Sequence, residues 1–162
     1  MSATLLLIRH GIAEDPRPGQ GDAARALTPE GWVKTRAAMR GLVARGYTPT
    51  RGLTSPHRRA RETMDCLQEA ALMDFPVEAW PVLVPHGDPG VADLQLRALM
   101  AEVPEEEVVA LTSHQPFLAD LVFHLTGRMV EVKKASCTVL RWREGTWRFE
   151  RHLAPADLRE RA

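Results

Sequence analysis

The chain lacks most of the features that organise small proteins from outside a hydrophobic core. Its 162 residues hold two cysteines, Cys66 and Cys137, and no Cys-x-x-Cys pair. A disulfide framework and a thiolate zinc site are therefore excluded as its organising principle. Aromatic residues make up 6%, which offers few stacking platforms for single-stranded nucleic acid. Net formal charge is zero, from 21 Lys and Arg against 21 Asp and Glu. The basic excess of a wholesale nucleic-acid or membrane binder is thus missing. No apolar run approaches the ~20 residues of a membrane span, and the first residues lack the charge and the apolar stretch of an export signal. These absences lead us to expect a cytoplasmic chain with neither nucleic acid nor membrane as partner.

What is present fits one globular domain over 1–162. The composition is 44% apolar and 26% charged, enough to fill a sizeable core and too apolar for a disordered chain. Charge is segregated along the chain. Residues 31–61 carry eight Lys and Arg and no acid, whereas residues 62–120 carry twelve acids against one Arg. The basic stretch ends in His57-Arg58-Arg59-Ala60-Arg61. It reads either as a solvated face balanced by acids nearby in space or as an anion-attracting surface.

Leu5 to Ile8 is a continuous apolar run, the pattern of a strand buried on both faces of a parallel sheet. Thr28-Pro29-Glu30 combines a capping residue, a proline suited to the first helical position and an acid suited to the positive end of the helix dipole. The helix it opens is expected to bury Val33, Ala37, Gly41 and Ala44 and to stop at Gly46. Strands are expected at 51–54, 77–80 and 108–112, with helices from about Arg58 to Ala71, after Asp88-Pro89, and from Pro116 to Thr126. The helix after Asp88 is expected to turn Leu94, Ala98 and Ala101 inward. Glu144-Gly145, between Cys137–Arg143 and Thr146–His152, signals a β-hairpin. Residues 154–162 are polar and expected to fray. Alternating strands and helices imply an α/β three-layer sandwich, with a mostly parallel central sheet, helices on both faces and a C-terminal hairpin.

Ligands of an open parallel sheet bind beyond the carboxyl ends of its strands. Arg9, His10 and Gly11 follow the first strand, Ser55, Pro56 and Arg59 the second, and Ser113, His114 and Pro116 the fourth. Two arginines and two histidines so placed suit a phosphoryl group. Arginine offers forked, permanently charged donors to phosphate oxygens, and a neutral imidazole is a competent nucleophile near pH 7. One histidine can attack while the arginines and the other histidine hold the oxygens, with no metal or cofactor. Each residue taken singly has an ordinary structural or surface role; their shared sheet edge is what sets them apart. His57, His124 and His152 have no metal-ligand spacing and are expected to be structural or exposed. Ser113 has no Gly-x-Ser-x-Gly elbow around it.

Leu7-Ile8-Arg9-His10-Gly11-Ile12-Ala13 resembles the signature of the histidine phosphatase superfamily, which includes the cofactor-dependent phosphoglycerate mutases. Arg25 to Gly31, Ser55 to Thr63 and Ser113-His114-Gln115-Pro116 resemble its later landmarks, in order. The resemblance implies that His10 is the phosphorylated nucleophile, that Arg9, Arg59 and His114 complete the phosphate pocket, and that Arg59, not Arg58, is the phosphate-binding arginine. The short chain, the absence of a large insertion between Pro76 and Val108, Ile12-Ala13 and Pro85-His86-Gly87-Asp88 resemble the small bacterial phosphohistidine phosphatase branch. Many members carry a glutamate general acid shortly after the third strand, and the corresponding position here is read as Val82. His86 and Asp88 are the nearby candidates for a proton donor or substrate contact, although Asp88 also reads as a helix cap and His86 as a plain loop residue.

The leading expectation is a metal-independent phosphatase with a phosphohistidine intermediate, acting on a phosphohistidine-bearing protein such as a phosphotransfer domain or kinase. The alternatives are a phosphatase of a small phosphate ester, a catalytically silent phosphoprotein-binding module, and an RNA-binding domain using residues 31–61. The strand ends lack the carboxylate cluster that a magnesium site prefers. Phosphatase activity is therefore expected to be undiminished in excess chelator; a rate lost to chelator and restored by magnesium would refute this.

Overall fold

A computed structural model describes residues 2–160. Strands β1 (Ala3–Arg9), β2 (Arg51–Thr54), β3 (Val77–Ala79) and β4 (Val108–Ser113) alternate with helices α1 (Pro29–Ala44), α2 (Arg58–Ala71), α3 (Pro89–Met100) and α4 (Phe117–Thr126). The hairpin β5 (Cys137–Arg143) and β6 (Thr146–Leu153) and a short helix α5 (Pro155–Arg159) follow. The sheet order is β3-β2-β4-β1-β5-β6. β3, β2, β4 and β1 are mutually parallel, and β5 pairs antiparallel with both β1 and β6.

The period-2 geometry of β1 divides its apolar run between two cores. Leu5 and Leu7 pack with α3 and α4 residues such as Leu96 and Leu121, while Leu6 and Ile8 pack with Met39 and Leu42 of α1 and Leu67 of α2. Helices thus cover both faces, as expected. The predicted caps are in place: Thr28 accepts a hydrogen bond from Gly31 N, and Gly127 ends α4 in the left-handed region. Among the described residues, no helix is long and apolar enough to cross a membrane.

Three expectations need correction. Helix α1 buries Gly31, Thr35, Ala38, Met39, Gly41 and Leu42, whereas Val33 and Ala44 are exposed. Helix α3 buries Ala92, Leu96 and Met100 and exposes Leu94, Ala98 and Ala101. In α3 apolar residues fall on every side, so periodicity alone gives no unique phase. The tail does not fray over 155–159: it forms α5 and seats Leu158 at 0% exposure against α1. Arg161 and Ala162 lie outside the described residues. Gly41 makes room for this docking, since a Cβ there would stand 1.7 Å from the carbonyl oxygen of Leu158.

The basic stretch is substantially balanced by acids outside it. Lys34 pairs with Glu30, Arg36 with Glu69, Arg58 with Glu62 and Arg59 with Asp22. Four of the eight cations are thus paired, which agrees with the solvated-face reading and weakens the one feature that favoured RNA binding.

Leu158→Ala should cost about 2–5 kcal/mol, the usual range for emptying a fully buried leucine site. Leu94→Ala should fall within about 0.5 kcal/mol of wild type. Urea denaturation of both variants checks this, and equal small effects would mean that α5 is not docked.

Candidate active site

The sheet order places β4 between β1 and β2, so the ends of all three strands converge. Arg9 stands in register with Ser113, and Thr54 with Thr112. Beyond them opens a cleft of about 640 Å3 whose lining includes Arg9, His10, Asp22, Arg25, His57, Arg59, His86, His114, Gln115 and Lys134. All four residues singled out for the phosphate pocket line this one cleft. Gly11, directly after β1, packs where no side chain fits: a Cβ there would meet Thr35 Oγ1 at 1.9 Å. Gly11 N donates to Thr63 Oγ1 (3.1 Å), which donates in turn to the carbonyl of Arg59 (2.9 Å). The β1 turn and the first turn of α2 are thereby fixed to each other.

His10 Nδ1 lies 2.7 Å from the carbonyl oxygen of Gly11. A carbonyl only accepts, so Nδ1 carries the proton and Nε2 keeps its lone pair. Burial depresses the His10 pKa to about 3, opposed by the Gly11 hydrogen bond and reinforced by the charges of Arg59, Arg9 and Lys134. The ring is therefore neutral at pH 7. His114 is held below the usual histidine range by burial first, and then by His10, Arg59 and His57. Its Nε2 is 2.7 Å from Ser55 Oγ, which already accepts from His57 N (3.1 Å). The arrangement that gives the Ser55 proton an acceptor has Ser55 donating to Nε2. His114 then carries its proton on Nδ1, a buried atom with no partner among the described residues. A buried orphan donor in a residue lining a cationic cleft suits an anionic ligand.

Arg9 is anchored through Nη1 to the carbonyl of Val132 (2.9 Å). Arg59 Nε donates to His10 Nε2 (3.4 Å), while Nη1 and Nη2 donate to the carbonyl and to Oδ2 of Asp22 (2.8 and 3.0 Å). Burial lowers both arginine pKa values, yet guanidinium stays charged at any relevant pH. One face of the cleft thus offers fixed positive charge and an unprotonated imidazole nitrogen. Among the described residues no group of three or more His, Cys, Asp or Glu is placed to hold a metal.

The polar candidates after β3 separate. His86 lines the cleft. Asp88 does not; it caps α3, accepting from Gly90 N (2.8 Å) and Val91 N (3.4 Å), so its proton-donor reading is withdrawn. Val82 packs against the core, and Val84 and Pro85 form the apolar part of this rim. His57, expected to be structural or exposed, lines the cleft with its ring 4.9 Å from that of His114. Sequence reasoning also missed Asp22, Arg25 and Lys134. His57 stands two residues before Arg59 and was within reach of the motif; Asp22 lies in a Gly- and Pro-rich loop with no local signal.

A parallel-sheet edge carrying a buried and a half-buried arginine and two neutral histidines defines a phosphoryl-binding α/β protein, and similarity to known proteins narrows the class. Residues 5–84 match the model of the histidine phosphatase superfamily (branch 1). An uncharacterized protein of Picosynechococcus sp. is 33% identical over 152 residues, covering 91% of this chain and 89% of the relative. The phosphohistidine phosphatase SixA of Escherichia coli is 30% identical over 121 residues, 75% of this chain and 73% of the relative. Among solved structures, the protein histidine phosphatase SixA complexed with tungstate superposes with a TM-score of 0.85 at 27% identity, covering 96% and 99% of the two chains. The phosphoglycerate mutase of Bacillus anthracis shares the fold, with a TM-score of 0.76 at 14% identity over 97% and 95%. The chain belongs to the histidine phosphatase superfamily, and its similarity is to the SixA-like branch.

The depressed histidine pKa values set a pH dependence of stability. Between pH 6.5 and 5 the unfolded chain protonates histidines that the folded state keeps neutral, so the unfolded state binds more protons and stability falls with pH. His10, His57, His114 and His152 are all lowered and act in the same direction. Urea unfolding free energy should decline as pH falls through this window, ahead of carboxylate titration. His10→Asn should decline less steeply, and an unchanged slope would show that His10 is not held neutral.

Proposed function

We propose that the protein is a metal-independent phosphatase that works through a phosphohistidine intermediate on His10, and that its substrate is a phosphohistidine side chain on another protein. The observation that carries this reading is the hydrogen bond from His10 Nδ1 to Gly11, which leaves a lone pair on Nε2 beside Arg59 in a cleft that Arg9 also lines. In the first step Nε2 bonds to phosphorus and the bond to the leaving atom breaks, its electron pair going to that atom. In the second, water attacks phosphorus, the P–N bond breaks and its pair returns to Nε2, releasing phosphate. Arg9, Arg59 and the unpartnered Nδ1–H of His114 hold the equatorial oxygens, where charge accumulates. The similarity to a SixA complexed with tungstate, itself a tetrahedral oxyanion, supports an oxyanion as the ligand.

The substrate class rests on the leaving group. An alkyl ester must expel an alkoxide, and a general acid typically contributes about 10²–10⁴-fold to such a step. The rim formed by Val84, Pro85 and His86 carries no carboxylic acid. Phosphohistidine needs none there, because protonation of its distal nitrogen lets neutral imidazole depart. The cleft is also open enough to admit a side chain of a partner protein. A small phosphomonoester is the second reading. It is favoured by His57 and His86, which put two imidazoles in the cleft as possible sources of that proton.

Enzyme mixed with phosphohistidine protein and quenched in alkaline denaturant should carry a phosphoryl group on His10 that later acid treatment removes, and His10→Ala should abolish both adduct and turnover. Arg59→Ala should cost about 10²–10³-fold, the usual loss for one transition-state donor, with Arg58→Ala and Arg61→Ala near wild type. Normal turnover by His10→Ala, or equal losses across the three arginines, would overturn the mechanism. Competition between phosphohistidine protein and a panel of small esters decides the substrate.

A further inference from the structure

We propose that Asp22 is a positioning residue that aims the Arg59 guanidinium at the phosphoryl group, an inference that rests on the phosphatase reading. Asp22 lies in a single 3₁₀ turn of residues 22–24, within the loop that joins β1 to α1. It meets Arg59 with two acceptors at once: its carbonyl takes Nη1 at 2.8 Å and its Oδ2 takes Nη2 at 3.0 Å. Both contacts fall on the terminal nitrogens, and the remaining nitrogen, Nε, points at His10 Nε2.

The proton count separates positioning from competition. Guanidinium has five N–H donors. Asp22 takes two and His10 one, which leaves two for phosphoryl oxygens. When Nε2 commits its lone pair to phosphorus, the Nε proton is released to the same oxygens. Asp22 therefore occupies the far edge of Arg59 and leaves the near edge for substrate. Were it a resident anion blocking the pocket, it would sit between Arg59 and His10.

The carboxylate is itself held. Oδ1 receives Arg25 Nε and Nη2 at 2.9 and 2.8 Å, and Oδ2 is 3.6 Å from His57 Nδ1. Burial raises its pKa, but the hydrogen bonds and charges of Arg59 and Arg25 outweigh this and leave it lowered. The loop does not depend on this carboxylate for its path. Glu14 N donates to the carbonyl of Ala26 (2.8 Å), Ala26 N to Glu14 Oε1 (3.0 Å) and Leu27 N to Glu62 Oε1 (2.7 Å). Removing the Asp22 side chain thus frees Arg59 Nη2 without releasing the segment.

A double-mutant cycle tests the assignment. Asp22→Ala is made in the wild-type and Arg59→Ala backgrounds, and kcat/KM is measured on an activated aryl phosphate. The affinity for vanadate is measured by calorimetry on the same four proteins. Positioning through Arg59 predicts a loss of about 10- to 100-fold when Arg59 is present, and less than about threefold when it is absent, in both measurements. Equal losses in the two backgrounds would show a general structural role. A gain in turnover or in vanadate affinity would show a competing anion; either result overturns the proposal. If the wild type fails to turn over any phosphate compound, the phosphatase reading falls while the vanadate cycle still decides the role of Asp22. Should Asp22→Ala melt below wild type, Asp22→Ser is carried through the same cycle.

Discussion

The chemistry at the cleft depends on a hydrogen bond between neighbours, His10 Nδ1 to the carbonyl of Gly11. It sets the tautomer and leaves the lone pair on Nε2, the atom that the proposed mechanism uses as nucleophile. The bond lies directly after a buried strand, where Gly11 is pressed against Thr35 and a Cβ has no space. Among the described residues, the buried Oγ1 of Thr35 has no hydrogen-bond partner. The close approach of α1 to the segment after β1 thus accompanies the bond that orients the His10 ring.

Burial and charge then act together. A solvated histidine beside an aspartate would be partly protonated at neutral pH. Here burial dominates for His10 and His114, and the arginines push the same way. Arg59 and Arg9, the cations to which the proposed mechanism gives the phosphoryl oxygens, thus also help keep His10 unprotonated. Such a site cannot carry unlimited uncompensated positive charge, and Asp22 supplies the balance at the edge away from His10. Arg59 is almost wholly buried, while the carboxylate that pairs with it is half exposed. The counter-ion therefore stands between solvent and the buried cation, where it orders the guanidinium.

Much of this was legible in the sequence. Leu5 to Ile8 and Val108 to Leu111 are apolar on consecutive positions in short runs, the pattern of a strand buried on both faces, and Thr28-Pro29 and Asp88-Pro89 are local capping chemistry. Site residues that directly follow such strands inherit their placement, which is why Arg9, His10 and His114 could be read. Arg59 required one more step, the first turn of α2. The phases of α1 and α3 could not be read, because α1 buries Thr35 and Gly41 in place of larger apolar residues and α3 is apolar on several sides. The docking of Leu158 depends on the gap left by Gly41, more than a hundred residues earlier, and nothing local announces it. Asp22 reaches Arg59 only through the path of an irregular loop, which composition does not specify.

The lining of the rim opposite the arginines bears on what departs from phosphorus. Val84 and Pro85 give that side neither charge nor a titratable proton, and His86 stands exposed. An enzyme relying on a carboxylic acid there would need it desolvated to stay protonated at pH 7, and a half-open cleft works against that. Imidazoles are different, because their protons are available near neutrality without burial. A leaving imidazole is also acid-activated at its own distal nitrogen, so it brings the proton it needs. On the proposed reading, the Val84 and Pro85 rim, which brings no acid of its own, penalises a departing alkoxide and is neutral toward phosphohistidine.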